Sequence, residues 1–474
     1  MPDRYHIHTL PVAARFRRVG KFGSVDWRED CSRCTNCVKH RCCYDVYKNE
    51  SAYNRDPLAP VETLNGCRAC LSCVQGCTKG LLNVSVNPEF LDIGDDYWKP
   101  DILLTTWNQS DSGRIPVSGA GYRGRFHGPG FDSMWTDMSE IVRPTRDGIH
   151  GREYISTSVD IGPKPMRLTF TPDGRMLTPP SRLLELQVPA ILDMPTWPVG
   201  GDHLTHARAA AAKELMTLAV MPAADAAGLA PELLPFVTPV VDGDDIERSA
   251  DLLQAVGMAQ VRESPDVAEL AGKLQSAHPR LIVSARLQLR PVTAGRVVEL
   301  ARAGIKVFHL CADLHGRERL DDGRPGRHIK DVLREVHGRL VKEGLRDEIT
   351  LIVSGGIALA EHMAKAIICG ADLVAVDTPL LVALGCRVCR NGQAMCSDDS
   401  CPAEIGPTDR GYAAQRMVNL MGAWHDQLIE VLGAMGIREV RRLRGEVGRA
   451  IFMEDIEKEA FGDIVRVPQA QVGI

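Results

Sequence analysis

The feature that most constrains this chain is a repeat. From Val188 onward, short aliphatic runs alternate with helix-patterned stretches, eight times in succession. The runs are "VPAILDMP", "MTLAVMP", "FVTPVVDG", "MAQVRES", "RLIVSARL", "KVFHLCADLHG", "TLIVSGGI" and "LVAVDTP". Continuous Val/Ile/Leu runs mark strands buried on both faces, which is the pattern of parallel sheets. Strand–helix alternation implies right-handed crossovers. Eight such units predict a closed (β/α)8 TIM-type barrel, with a nine-strand open sheet as the competing arrangement. The 474 residues leave room for further domains. A net charge of −5 argues against nucleic acid as the main partner. No apolar run is long enough to span a bilayer. The N-terminus is basic but lacks the apolar core of a secretory signal, so a cytoplasmic protein is expected.

Barrel active sites lie at strand C-termini. The residues there include Asp193, Asp242, Arg262, Glu263, Arg286, Asp313, His315, Ser354, Gly355, Gly356, Asp377 and Thr378. Ser354-Gly355-Gly356 follows the seventh strand. Its backbone amides suit a phosphate nest; the plainer alternative is a tight turn that needs glycine. Asp313 and His315 are acid–base candidates by position.

Fifteen cysteines are clustered rather than scattered. One block reads Cys31-x-x-Cys34-x-x-Cys37, followed by Cys42 and Cys43; a second reads Cys67-x-x-Cys70-x-x-Cys73-x-x-x-Cys77. Repeated three-cysteine runs suit iron–sulfur clusters, whereas zinc sites usually pair two C-x-x-C units. The spacing resembles bacterial two-cluster ferredoxins. That resemblance implies two 4Fe-4S clusters with crosswise ligands: Cys31, Cys34, Cys37 and Cys77 for one, and Cys67, Cys70, Cys73 and Cys42 (or Cys43) for the other. No proline follows Cys77, and the first block has one residue too many before its fourth cysteine. Four more thiols, Cys386, Cys389, Cys396 and Cys401, follow the eighth strand and form a second candidate cluster site at the barrel mouth.

Here the chain resembles the FMN-binding synthase domain of glutamate synthase, in its short archaeal-type form with ferredoxin modules. The matching stretches are "SGGI" from Ser354, "DTPLLVALGC" from Asp377, Cys396-x4-Cys401-Pro402, and the tail "NLMGAWHDQLIEVLGAMGIREVRRLRG". The match runs in patches from Arg143 to Gly445. It implies FMN held by Ser354, Gly355, Gly356, Asp377 and Thr378, and a third cluster, 3Fe-4S or 4Fe-4S, on Cys386, Cys389, Cys396 and Cys401. Electrons would pass from a donor through the clusters to FMN, which would reduce 2-iminoglutarate to glutamate; Arg286 would neutralise the flavin ring or a substrate carboxylate. The donor would be ferredoxin or an NAD(P)H-oxidising flavoprotein subunit. No glutaminase domain is read, so ammonia would come from solvent or from an amidotransferase subunit, and an oligomer is expected. Three departures stand out. Asp377 occupies the family's phosphate-side glycine, "GRERLDDGRPGRH" replaces its glycine-rich loop after strand six, and the segment between strands one and four is shorter than the family's. They favour an alternative: a flavin-free electron-transfer or scaffold subunit of a larger redox complex.

The expected organisation is a ferredoxin-like module at 1–88, an irregular lead-in with a β-hairpin at 89–180, the barrel at 181–385, the cysteine segment at 386–410 and a helical tail at 411–474. Asp173-Gly174 marks the hairpin turn, and the glycine-rich "VSGAGYRGRFHGPG" reads as a loop. His309, Trp98, Trp107, Trp135 and Trp197 read as packing residues, and Cys311 and Cys369 as small buried hydrophobes.

Overall fold

The computed structural model describes residues 5–16, 19, 21–26, 34, 40–43, 70–81, 83–115, 129–137, 155–165, 167–178, 181–195, 202–243, 245–389, 403, 405, 408–444 and 446–462. Near the N-terminus, β1 (Phe22–Asp26) pairs antiparallel with β2 (Asn83–Val86), so the two cysteine blocks lie on the segment between these paired strands. β3 (Met134–Thr136), β4 (Val159–Ile161) and β5 (Leu184–Leu186) precede the barrel. β4 and β5 pair with each other and close the N-terminal end of the barrel, where the Thr350 hydroxyl donates to Gly162 O at 3.2 Å.

The barrel strands are β6 (Ala190–Leu192), β7 (Ala219–Pro222), β8 (Val237–Val241), β9 (Met258–Arg262), β10 (Ile282–Gln288), β11 (Val307–Cys311), β14 (Thr350–Ser354) and β15 (Leu373–Val376). All neighbours pair parallel, and the ring closes where β15 meets β6 through Val374↔Ala190, Ala375↔Ile191 and Val376↔Leu192. Each strand falls in one of the eight aliphatic runs, so the closed barrel forms rather than the open sheet. Burial is nearly complete along them, as for Val237–Val241 and Val307–Cys311. That is why the runs are continuous rather than alternating. The replaced loop after β11 folds as a hairpin of β12 (Arg317–Arg319) and β13 (Pro325–His328), tied by the Arg327–Glu318 ion pair at 2.7 Å.

The lead-in is more regular than expected. It contains α1 (Pro100–Ser112), a 13-residue helix opened by Pro100 at its first position and closed by left-handed Gly113. The buried face of α1 carries Thr105, Thr106, Gln109, Ser110 and Asp111 beside Ile102 and Leu103. These buried polar residues blur the apolar period in the sequence. α1 packs on α2 (Arg410–Ala434), the long helix of the tail, and Arg416 of α2 donates to Asp111 at 2.6 Å. The hairpin forms as expected: Phe170 bridges Met176 and Gly174 turns at φ +84°. Trp98 and Trp107 are core residues, Trp135 is exposed, and Cys311 and Cys369 are buried. The tail adds β16 (Ala450–Phe452), which pairs with β3, and a solvated helix, α3 (Met453–Phe461). No described helix is long and apolar enough to cross a membrane.

Candidate active site

Parallel pairing sets which side chains face the lumen. Ser284, Gln260 and Val240 share one level; Arg286 pairs with His309, and Ser354 with Ala375. The C-terminal end of the lumen therefore collects Asp193, Gln260, Arg286, His309, Ser354 and Asp377. Arg286 reaches across the ring from β10 to β6. Its Nη1 and Nη2 donate to the two carboxylate oxygens of Asp193 at 3.0 and 3.1 Å. Nη1 also donates to Gln260 Oε1 at 3.1 Å and to His309 Nδ1 at 2.9 Å. His309 Nδ1 therefore faces a donor, and its Nε2–H donates to Ser354 Oγ at 3.0 Å. Burial, and then the Arg286 charge, push His309 down to about 3, so this ring is neutral. Burial alone would raise Asp193, but the Arg286 charge and the hydrogen bonds from Arg286 and Met194 N outweigh it and hold the carboxyl below its usual range.

Asp377 lies just past β15 and is 1% exposed. Its Oδ1 accepts from Thr378 N at 2.6 Å, while Oδ2 and the Thr378 hydroxyl are buried without a partner. Burial, and then the Asp193 charge, push this carboxyl up to about 7. At the end of β14, Gly355 and Gly356 take φ of +90° and +69°. A Cβ on Gly355 would stand 2.5 Å from Asp313 O, and one on Gly356 2.6 Å from Gly316 Cα. The turn therefore needs glycine at both positions. Among the described residues, neither glycine N–H makes a hydrogen bond within the protein. Buried amides without partners are rare, and two in succession make an anion nest. These donors fit a phosphate.

The other candidates are placed differently. Asp313 Oδ1 accepts from the His315 and Arg317 amides at 2.9 and 2.7 Å, capping a turn. His315 Nε2 meets Asp95 at 2.8 Å, outside the lumen network. Tyr97, absent from the sequence candidates, lies over the site: its hydroxyl donates to Gly356 O at 2.6 Å and contacts His328 Nε2 at 3.2 Å. Tyr97→Phe removes the first of these bonds from a buried carbonyl and should lower stability by about 1–3 kcal/mol in denaturant titration. Asp132, Glu361 and His362 also cluster, with possible ligand atoms within 4.8 Å of one another. Because His362 Nδ1 accepts from Ala358 N at 3.1 Å, its Nε2 carries the proton and faces Asp132 at 3.3 Å. Lys365 at 3.5 Å from Glu361 and Lys99 at 3.7 Å from Asp132 supply the positive charge. This is an ion-pair cluster, not a cation site.

Of the proposed cluster ligands, Cys31, Cys37, Cys67, Cys396 and Cys401 lie outside the described residues. Cys34 and Cys70 are exposed, Cys42 and Cys77 half-buried, and Cys73 buried. Cys43 Sγ lies 3.6 Å from Cys70 Sγ, which brings the two blocks together. Hydrogen bonds from Ser72 hold the Cys70 thiol below its usual range. Cys386 is buried just after the short helix Thr378–Ala383, and Val388 N donates to its Sγ at 3.5 Å. The Cys386–Cys389 loop also docks on the exit from β2. Gly94 N donates to Arg387 O at 2.9 Å, and Arg387 pairs with Glu89 at 3.2 Å.

The fold and these strand ends define an eightfold α/β-barrel protein with an anion nest at its mouth. Residues 324–438 match the family described as the conserved region in glutamate synthase. The archaeal-type glutamate synthase (NADPH) of Dehalococcoides mccartyi is 23% identical over 89% of this chain and 93% of its own. The archaeal glutamate synthase (NADPH) of Archaeoglobus fulgidus is 24% identical over 98% of each chain. Among solved structures, the flavin-binding domain of baker's yeast flavocytochrome b2 aligns over 81% of this chain and 88% of its own, at 14% identity and a TM-score of 0.40. The chain is related to the short, archaeal-type glutamate synthases.

Proposed function

We propose that this chain is an iron–sulfur flavoenzyme of the glutamate synthase type, an oxidoreductase that forms glutamate by reductive amination of 2-oxoglutarate. The observation that carries this reading is the nest of open amides at the mouth of a closed barrel, on a chain that aligns nearly end to end with relatives named glutamate synthase (NADPH). The amides of Gly355 and Gly356 and the Thr378 hydroxyl would hold the FMN phosphate. Bound FMN would accept electrons singly and supply them to the substrate as a hydride. Arg286, read from the sequence as a partner for the flavin ring or a substrate carboxylate, would have to share its guanidinium with Asp193 to serve either. The cysteine blocks between β1 and β2 would form the ferredoxin-like module, with the crosswise ligand set read from the sequence. Contact of Cys43 with Cys70 supports a ligand passing between blocks. Docking of Arg387 on Glu89 and Gly94 supports a path from that module to a third cluster at Cys386, Cys389, Cys396 and Cys401. A soluble carrier or a flavoprotein subunit that oxidises NADPH would deliver the electrons.

The test is anaerobic purification followed by assay of iron, acid-labile sulfide and flavin. The expected result is iron and sulfide with about one FMN per chain, and glutamate formed from 2-oxoglutarate and ammonia with a reduced one-electron donor. Absence of iron would remove the wiring. The Arg286–Asp193 pair, which already spans the lumen, favours one second reading: a flavin-free relay subunit. Iron and sulfide without flavin would establish that reading instead.

A further inference from the structure

The mouth of the barrel holds a buried acid at the strand end neighbouring the glycine turn. Asp377 Oδ2 is buried and unpartnered beside the Thr378 hydroxyl, at the end of the strand next to the Gly355–Gly356 turn. An ionised carboxylate there would repel a phosphate. A protonated one would donate a hydrogen bond to it. We propose that Asp377 makes phosphate binding at this site proton-coupled, so that a phosphate monoester binds together with the proton on Asp377 and is released when that proton leaves.

This inference rests on the reading of the barrel mouth as a phosphate site, and it adds a control that the glycines alone would not provide. The charged and titratable groups around Asp377 come from several elements. Asp193 beyond β6 raises it. Arg286 on β10 is engaged by Asp193 in a two-pronged pair. Cys311 on β11 and Tyr97 over the turn both feel the Asp377 charge and are themselves pushed upward by burial. His309 is neutral. Arg286 also feels the Asp377 charge, but its guanidinium hydrogen bonds go to Asp193, so Asp377 Oδ2 has no hydrogen-bonded cation and a proton there supplies the missing neutralisation. Burial and Asp193 place the carboxyl near neutrality, at about 7, within the range where cellular pH would act on it.

The experiment titrates FMN, riboflavin and inorganic phosphate into the flavin-depleted full-length chain, kept anaerobic, between about pH 6 and about pH 9. Flavin fluorescence quenching reads FMN and riboflavin; isothermal titration calorimetry reads inorganic phosphate directly. In the wild-type chain, FMN affinity should fall by about tenfold per pH unit above neutrality, while riboflavin affinity stays level. Asp377→Asn, which donates a hydrogen bond but cannot ionise, should bind FMN with no such fall. It shares the phosphate's own titration, so comparison with it isolates Asp377. Equal pH dependence in wild type and Asp377→Asn, with riboflavin bound, would overturn the inference and leave the flavin reading standing. Inorganic phosphate binding with the steep dependence, without either flavin, would support proton coupling and remove the flavin reading. Binding of none of the three would overturn both. Circular dichroism melts of each variant confirm that a loss of binding is not a loss of fold.

Discussion

Replacing Arg286 by methionine should destabilise the fold by about 3–5 kcal/mol, read as a lowered denaturant midpoint with an unchanged slope. The reason lies in Asp193. Its side chain is 1% exposed, and its two oxygens meet the guanidinium at 3.0 and 3.1 Å. Removing Arg286 takes away the counterion hydrogen-bonded to this buried carboxylate, leaving Arg208, which donates to the Asp193 carbonyl at 3.0 Å, and Gln260 and His309 each lose a donor. Asp193→Asn should be costly for the mirrored reason, because Arg286 would keep its charge in a nearly dry lumen. Combining Asp193→Leu with Arg286→Met should recover most of the loss, since apolar packing of similar volume replaces a buried pair at little net cost. A single Arg286→Met variant within about 1 kcal/mol of wild type would show that the pair does not brace the ring.

Asp377→Asn should stabilise the protein at alkaline pH and leave it unchanged in acid. The sign follows from linkage. The folded carboxyl titrates at about 7, against an ordinary value of 3.8 when unfolded. Below both values the group is protonated in either state and has no differential effect. As pH rises from 3.8 through about 7, the unfolded chain releases the proton first, and wild-type stability falls. Above that range the deficit levels off. The interval between 3.8 and about 7 corresponds to about 4 kcal/mol. Unfolding curves of wild type and Asp377→Asn at several pH values measure the difference directly. The comparison cancels His309, whose depressed value acts in the opposite direction, with stability lost as pH falls below 6.5. A constant difference across the whole range would mean that Asp377 does not titrate in the folded barrel.

Much of the scaffold is legible in the sequence. The eight strands stand out because each is largely buried on both faces, so aliphatic residues dominate each run, without interruption in Leu373–Val376 and broken elsewhere only by single polar residues such as Gln260 and His309. The Asp173-Gly174 turn is legible because a left-handed residue there calls for glycine. Helix α1 is not, because its buried face mixes Thr105, Thr106, Gln109 and Ser110 with leucine and isoleucine. The site divides in the same way. Ser354, Gly355, Gly356, Asp377 and Thr378 fall at strand ends in the sequence, and the nest lies among them. By position alone Arg286 is free to meet a cofactor or substrate, whereas in the fold it holds Asp193, 93 residues away. Asp313 and His315 are equally placed at a strand end, yet their side chains serve the loop and Asp95.

By itself, the sequence determined the count of barrel strands, the spacing of the thiols and the demand for glycine after Ser354. These depend on local burial, local reach and local backbone angles. Only the tertiary structure decided that Arg286 and Asp193 meet across the ring, that Tyr97 covers Gly356 from 259 residues away, and that Asp377 is left buried and unpaired. Ring closure sets those distances, and a carboxyl's proton affinity follows from what closure puts around it rather than from its neighbours along the chain.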